Sequence, residues 1–509
     1  MARFVMRAPA FATILSLLLV TGQVVAQDAP EPEDAPVPEE SAAPREAAEP
    51  EERSEPEESA EPVDHGTRSG KGDSRGPGEG DGKGRPESEA SEVAEEPAAS
   101  EERTEPLIPS RPDPMSPLAI SIGDGSLRFI PSLQYRIRYF HDDGRDFVAG
   151  GENDRVRHRA RLGMAAVYDD VVTSFLQFQD VRFYGEESDP SGDFSADGFD
   201  LHQGYMQFGT GKSYVRLGRQ EFNFNNERLL GANQYVERVR SFDGARAVAE
   251  RGGATLDVGW ALVRDYATNA EPVGTGKRHI VAGDLEYEMH RAFVPDMLVL
   301  FEGDTETDLR RVTAGGEING TFGDQVFFDY HAEAWVQYGK ENEPAPVTYW
   351  AHLTSFLLQA NVDVATKPYL YLEATFVSGD EDPTDDVIST FTQPYSRAHR
   401  VLGQMDYFIN FIRDTDERGV RDLSSRVGFK PFGLAMDATV HLFDSMTSRP
   451  DGLSHYGWEV DFRMRRRFLD GHVGFDTVYA FFVPGELIAP QVADPDLEHF
   501  AYFILDTLF

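Results

Sequence analysis

The sequence contains no cysteine. That excludes disulfide frameworks, cysteine-ligated zinc, thiol catalysis and a lipid-modified N-terminal cysteine. Basic residues are outnumbered, with 48 Lys and Arg against 88 Asp and Glu and a formal charge of −40 over 509 residues. Nucleic-acid binding through phosphate neutralisation is therefore excluded. Beyond the N-terminus no apolar run reaches the roughly 18 residues that a helical membrane span needs. Residues 117–509 have no Gly-x-Ser-x-Gly elbow (the one match, Gly72-Asp-Ser-Arg-Gly76, lies in the low-complexity stretch before them), the sequence has no His-Glu-x-x-His motif, and His141, His158, His202, His331, His352, His399 and His441 are scattered. No catalytic residue, metal site or cofactor is expected, and the chain reads as a non-enzyme. A membrane protein that crosses with strands is left open.

The chain divides into three parts. Residues 1–26 read as a secretory signal peptide: Arg3 and Arg7 precede an apolar stretch from Phe11 to Val20, and Val24-Val25-Ala26 supply a small-residue cleavage site. Residues 27–116 are a low-complexity tether rich in Pro, Glu, Ala, Ser and Gly, in which 27 acidic residues face 9 basic ones. With no aromatic residues and few Val, Leu or Ile, nothing there offsets the entropy of ordering, so a disordered acidic spacer is expected. Docking of this tether onto a periplasmic partner or the cell wall is the second reading. Residues 117–509 are the folded part.

There the hydrophobic period is two. Leu127, Phe129, Leu133, Tyr135, Ile137 and Tyr139 alternate with Arg128, Ser132, Gln134, Arg136 and Arg138. Val156, Ala160, Leu162, Met164 and Ala166 alternate with Arg155, Arg157, Arg159 and Arg161, and Trp458, Val460, Phe462 and Met464 with Glu459, Asp461, Arg463 and Arg465. Each run is a strand with one apolar and one polar face. Short links at Asp169-Asp170, Gly209–Lys212, Gly252-Gly253, Gly320–Gly323, Ala365–Lys367, Pro431–Gly433 and Leu469–Gly471 alternate with long ones at 141–153, 185–199, 222–242, 266–277, 339–346, 445–454 and 484–497. That is the order of an outer-membrane barrel with tight periplasmic turns and extended outer loops. Of nineteen candidate strands, Arg400–Arg413 breaks the alternation. Placing 379–421 in one long outer loop restores it and leaves eighteen strands, an even number. The expectation is an all-β, single-chain antiparallel transmembrane barrel. At the C-terminus Ala501, Phe503, Leu505 and Thr507 share the face of Phe509, a pattern resembling the signal read by the barrel assembly machinery.

Function is sought on the inner face. Residues 117–509 carry 32 Arg but 5 Lys, and Arg is the residue suited to gripping carboxylates or phosphates with a planar, permanently charged fork. Arg155, Arg157, Arg159 and Arg161 on one strand beside Arg136 and Arg138 on the preceding one would give the lumen a strongly positive potential, which low-dielectric walls focus. Asp257, Glu373, Asp437, Glu459 and Asp461 share the inward parity and are the expected counter-charges. Two readings follow: selective anion passage, or wall-bracing ion pairs in a general diffusion porin for small anionic nutrients. An outer-membrane hydrolase stands behind both.

The segments Leu217-Gly-Arg219-Gln220-Glu221, Asn226-Glu-Arg228-Leu-Leu-Gly231 and Arg240-Ser-Phe242-Asp243-Gly-Ala-Arg246 resemble the signature of the alginate-export family of outer-membrane porins. A second block agrees: Ser378-Gly379-Asp380, Asp382-Pro383, Asp386, Phe391, Pro394, His399, Gly403, Asp406 and Asn410. The resemblance covers about 126 to 509. Where the family commonly has Trp after the Leu-Leu-Gly element, this chain has Asn233-Gln234-Tyr235. The resemblance implies a monomeric eighteen-stranded barrel in the outer membrane, passing an anionic uronate polymer through an Arg-rich constriction. By motif it points to Arg219, Glu221, Arg228, Arg240, Asp243 and Arg246 as pore-lining residues. Strand parity adds Arg136, Arg138, Arg157, Arg159, Arg161, Arg463 and Arg465.

The loop 379–421 is the candidate gate, because Val401, Leu402, Met405, Phe408, Ile409 and Ile412 follow helical spacing. Asp380, Glu381, Asp382, Asp385 and Asp386 have the oxygens for Ca²⁺ but lack the glycine and spacing of a known calcium loop. Surface solvation, or cation bridging to lipid headgroups, is the preferred reading.

Overall fold

The computed structural model describes residues 119–143, 153–185, 198–210, 213–265, 276–397, 399, 401–488 and 497–509. The signal-peptide and tether readings lie outside the described residues.

Twenty strands form one sheet. β1 (Ile120–Ile122) folds back on β2 (Leu127–Asp142). The wall continues through β3 (Asn153–Tyr168), β4 (Val172–Phe183), β5 (Phe199–Thr210), β6 (Ser213–Gln220), β7 (Phe242–Arg251), β8 (Ala254–Asp265), β9 (Lys277–Tyr287) and β10 (Val294–Asp304). It is completed by β11 (Leu309–Gly323), β12 (Val326–Glu341), β13 (Val347–Val362), β14 (Tyr369–Val377), β16 (Val420–Phe429), β17 (Ala435–Asp444), β18 (His455–Phe468), β19 (Val473–Pro484) and β20 (Glu498–Leu508). β15 (Val387–Ile388) lies outside the wall and pairs in parallel with Thr348 and Tyr349 of β13. Without β1 and β15, eighteen strands make a closed antiparallel barrel. β20 returns against β2 in register from Gln134↔Leu508 to Asp142↔Phe500. Beside this seam Leu133 and Phe509 exchange both backbone hydrogen bonds at 2.8 Å. Closure leaves no edge of unpaired backbone, the condition for crossing hydrocarbon with strands.

The period-two pattern sorts side chains as expected. Leu133, Tyr135 and Tyr139 of β2, and Phe503, Leu505 and Phe509 at the C-terminus, are exposed on the outside, while Gln134, Arg138, Tyr502, Ile504 and Asp506 are buried inside. On β10 Met297 and Val299 face out and Leu298 and Leu300 face in. Two of the tight turns set successive residues at positive φ, Asp169 and Asp170 (48° and 56°) and Leu469 and Asp470 (50° and 56°), the two-residue geometry that matches strand twist. Strand length is uneven around the wall: β2, β3, β12 and β13 each have 16 residues, whereas β6 has 8 and β7 has 10.

Short turns gather at one end of the barrel and long loops at the other. Two links had no clear signal in sequence: 288–293 at the turn end, and 305–308, a tight link at the loop end. Gly320–Gly323, read as a turn, closes β11 instead, and Asp324-Gln325 make the turn. The stretch Arg400–Arg413 is not a strand. The link between β14 and β16 spans 378–419, and its helix is confined to Phe411–Asp414. The longer helix suggested by spacing does not form, since Gly403 (φ 81°) and Asp406 (φ 58°) interrupt it. Its apolar residues still serve a core: Leu402, Met405, Phe408 and Phe411 are buried against Phe443, Tyr456 and Phe482 of the wall.

A charge on the outer belt tests this assignment of faces. Val299→Arg, mid-strand on β10 and 51% exposed, is expected to destabilise the barrel by about 2–4 kcal/mol. A urea midpoint in lipid vesicles equal to that of the wild type would show that this face does not meet hydrocarbon.

Candidate functional site

The antiparallel register of β2 and β3 sets Arg136 opposite Arg159, Arg138 opposite Arg157, and Gln134 opposite Arg161. With Arg155 this makes an inward ladder of six guanidinium groups. Arg138, Arg159 and Arg161 are almost completely buried. The loop 221–241, folded into the lumen, buries them. Nη1 of Arg136 donates to the Gln234 carbonyl at 2.9 Å, Nη1 of Arg138 to Tyr235 at 3.0 Å, and Nη1 of Arg159 to Val236 at 3.0 Å. The Arg161 guanidinium donates to Gln179 Oε1 (2.8 Å) and Gln234 Oε1 (3.2 Å). The Tyr235 ring lies 3.9 Å from the Arg138 guanidinium carbon, and Arg157 packs over Phe183 at 4.4 Å. Among the described residues, Arg155 and Arg157 are in no ion pair.

Two carboxylates beside the ladder come from the same loop, Glu237, 3.4 Å from Arg138, and Glu221, 3.7 Å from Arg161, and a third, Asp506 of β20, stands opposite Arg136 in the seam register. The five expected from parity are used elsewhere. Asp257 binds Arg246, Glu373 accepts from Ser355 and Tyr371, Asp437 lies 3.9 Å from Arg426, and Asp461 lies 3.6 Å from His441. Glu459 accepts the backbone N–H groups of Gln404 (2.6 Å) and Met405 (3.0 Å). Parity fixes the face a residue lies on but not its distance around the wall, and these five sit on β8, β14, β17 and β18.

The motif residues divide into two sets. Glu221 bonds His202 Nε2 (2.7 Å) and Gln234 Nε2 (2.8 Å). Burial pushes its carboxyl up, but the His202 hydrogen bond and the Arg161 charge outweigh that and hold it below the ordinary value. Arg228 is clamped on Glu333 of β12 at 2.9 and 2.5 Å; burial disfavours its charge, yet Glu333 more than offsets this and raises it. Arg240 donates to Gly231 O at 2.7 Å and to Tyr395 O of the other loop, with burial lowering its proton affinity. Arg246 is paired with Asp257 at 3.0 Å, and Arg463 with Asp476 at 3.0 and 2.6 Å. Arg465 shares the inward parity of Arg463.

Arg219 and Asp243 do not line the lumen. They share the outward parity of exposed Leu217, pair with each other at 3.1 Å, and are 32% and 63% exposed. Arg219 also donates to Leu201 O at 2.9 Å and lies 3.7 Å from Asp200.

The second loop, 378–419, also turns inward and meets the first. Leu230 and Tyr395 form a backbone bridge, Tyr235 stacks on His399, and Arg397 lies 3.7 Å from Glu227. Gly403 sits where an added Cβ would come within 2.5 Å of the Glu459 carboxylate, so only glycine permits this approach. Gln337 of β12 accepts from Thr392 N at 3.1 Å. The acidic stretch nearby braces its own turn: Asp380 is buried and accepts from Asp382 N and Ser389 N, while Asp385 accepts from Val387 N. Glu317, His331 and Glu333 bring possible metal-ligating atoms within 4.8 Å of one another, but the Glu333 oxygens already accept from Arg228, Asn226 and Trp335. Sequence reasoning missed Gln234, Tyr235, Glu237, Glu333 and His399 as site residues; the signals were the departure at Asn233-Gln234-Tyr235 and the place of His399 in the second motif block.

A family model described as "Alginate export" matches residues 126–495. No curated protein matches the sequence. Among solved structures, Pseudomonas aeruginosa OccK5 (OpdH) is similar with a TM-score of 0.51 at 11% identity, over 75% of this chain and 98% of that one. P. aeruginosa OpdK with vanillate gives 0.50 at 14% identity over 74% and 98%. Acinetobacter baumannii OccAB1 gives 0.51 at 12% identity over 75% and 96%. At these identities the likeness is one of fold.

The clamp between Arg228 and Glu333 anchors loop 221–241 to the wall. Arg228→Ala leaves a buried carboxylate unpaired and is expected to cost about 3–5 kcal/mol, with R228M/E333Q recovering most of it in urea unfolding. An R228A midpoint unchanged from wild type would show that the pair does not anchor the loop.

Proposed function

The chain belongs to the alginate export family, and on that premise we propose an outer-membrane channel that passes anionic solutes, with an alginate-like anionic polysaccharide as the cargo. The observation that carries this reading is the ladder of six inward arginines on β2 and β3, against which the described residues set three carboxylates, Glu221, Glu237 and, opposite Arg136, Asp506. A wall built only for strength would pair its charges, as Arg246–Asp257 and Arg463–Asp476 do. An unbalanced cluster in a low-dielectric tube concentrates anions. Several weak carboxylate contacts in series let a polymer advance without being trapped at one step. Arg136, Arg138, Arg155, Arg157, Arg159 and Arg161 would make those contacts, Arg465 would extend them, Arg463 would brace the wall with Asp476, and Glu221 would orient Arg161. Arg228, Arg240 and Arg246 would hold the in-folded loops.

The second reading, a general diffusion porin for small anions, is favoured by those same paired arginines and by Arg311–Glu302 at 2.8 Å. In either case the reading is of a monomeric, non-enzymatic barrel. Its exposed C-terminal Phe509 would engage the assembly machinery, and the acidic N-terminal segment would serve as a periplasmic spacer.

Planar-bilayer recording separates these readings. R155Q/R157Q removes two charges that no ion pair holds among the described residues, so the barrel should assemble normally while its anion preference falls several-fold. Polygalacturonate should block the wild-type current in a salt-sensitive manner, and a neutral glucan should not. Unchanged ion selectivity in the variant would defeat the anion-channel reading; anion preference without polygalacturonate block would favour the small-solute porin.

A further inference from the structure

The ladder is gripped by its own chain. Segment Gln234–Glu237 offers three successive carbonyls to Arg136, Arg138 and Arg159 and one carboxylate, Glu237, to Arg138. Carbonyls are neutral acceptors, and they do not use up the donors. Among the described residues, Nε of Arg136, Arg138, Arg157 and Arg159 and Nη2 of Arg161 are buried with no acceptor. A buried guanidinium with unfilled donors is costly, whereas a carboxylate would fill two donors at once with charge-assisted bonds. The segment thus fills an anion site with the wrong chemistry.

We propose that Gln234–Glu237 is a built-in stand-in for the cargo, which occupies the arginine ladder in the resting channel and which a carboxylate-bearing chain displaces. This rests on the anion-channel reading above. Both ends of the loop are tied, by Arg228 to Glu333 and by Arg240 to Gly231 and Tyr395, so displacement swings only its middle. Tyr235 is stacked on His399, so the movement passes directly to the second in-folded loop. The cargo shifts the equilibrium by the difference between its own affinity for the ladder and that of the segment. A monovalent small anion, filling one rung, competes poorly against a segment that spans three.

The test uses the full-length protein in lipid bilayers and vesicles with polygalacturonate as the probe. E237Q removes the segment's one charge on the ladder; resting conductance is expected to rise several-fold, and half-block by polygalacturonate to occur at about tenfold lower concentration. The native chain has no cysteine, so V239C, at a position 6% exposed, reports on the segment through its rate of thiol modification. That rate should rise at least several-fold with polygalacturonate and little with acetate. Unchanged conductance and block in E237Q, or a V239C rate indifferent to polygalacturonate, would overturn the proposal. If R155Q/R157Q still loses anion preference in that case, the channel reading survives alone; a wild-type pore with no anion preference would remove both.

Discussion

Every hydrogen bond in the wall depends on one seam. β20 must return to β2, and Leu133 and Phe509 lock the end of that pairing at 2.8 Å. In hydrocarbon an open edge has no water to bond with, so closure is a condition for existence in a membrane. The arginine ladder is built on β2 and on β3 next to it. The strand that closes the cylinder therefore also carries the first rungs of its most positively charged surface, and the geometry of that surface is set by the most constrained part of the fold.

Closure creates an interior, and this chain fills part of it with itself. Loops 221–241 and 378–419 enter from one end and bury a continuous apolar cluster that includes Phe222, Leu230, Phe391, Leu402 and Phe411 with wall residues Phe140, Phe443 and Phe500. Both loops are held by polar groups of the wall acting on backbone: guanidinium donors on carbonyls of the first, and Glu459 on N–H groups of the second. Apolar packing supplies cohesion between the loops, while charged groups on the wall fix where they sit. Arginines of β2 and β3 and Glu333 of β12 hold the first loop from two parts of the wall, while Glu459 of β18 holds the second.

Much of this was legible in the sequence because a strand's period of two is rigid. Once Leu133, Tyr135 and Tyr139 face lipid, Arg136 and Arg138 must face in, and alternation of short and long links yields the even strand count. The in-folding was less legible, for a physical reason: the acceptors for Arg136, Arg138 and Arg159 are main-chain carbonyls, which every residue has. Helical spacing at Val401–Ile412 correctly marked an apolar face but not its conformation, because Gly403 and Asp406 turn the chain at left-handed φ. Arg219 and Asp243 were drawn inward by motif although Leu217 shares the parity of Arg219; there the simple alternation was the better guide. The five counter-charges expected on inward strands lie elsewhere around the wall, and the ladder meets Glu221 and Glu237 of the loop and Asp506 of β20 instead, since sequence pattern says nothing of distance around a cylinder.

The uneven wall has a consequence for the lipid. A strand tilted as in such barrels needs about 9–11 residues to cross the hydrocarbon; β6, with 8, falls short of that and β7, with 10, only meets it, against 16 in β2 and β3. Bilayers answer so short a span by thinning locally, at a modest energy per ångström of mismatch. Arg219, Asp200 and Asp243 stand outward near the upper rim of this low side, where a sagging leaflet brings headgroups and water down to meet them. The barrel would then ride in the membrane like a cup with a notched lip, and the notch, not the tall side, would set its depth.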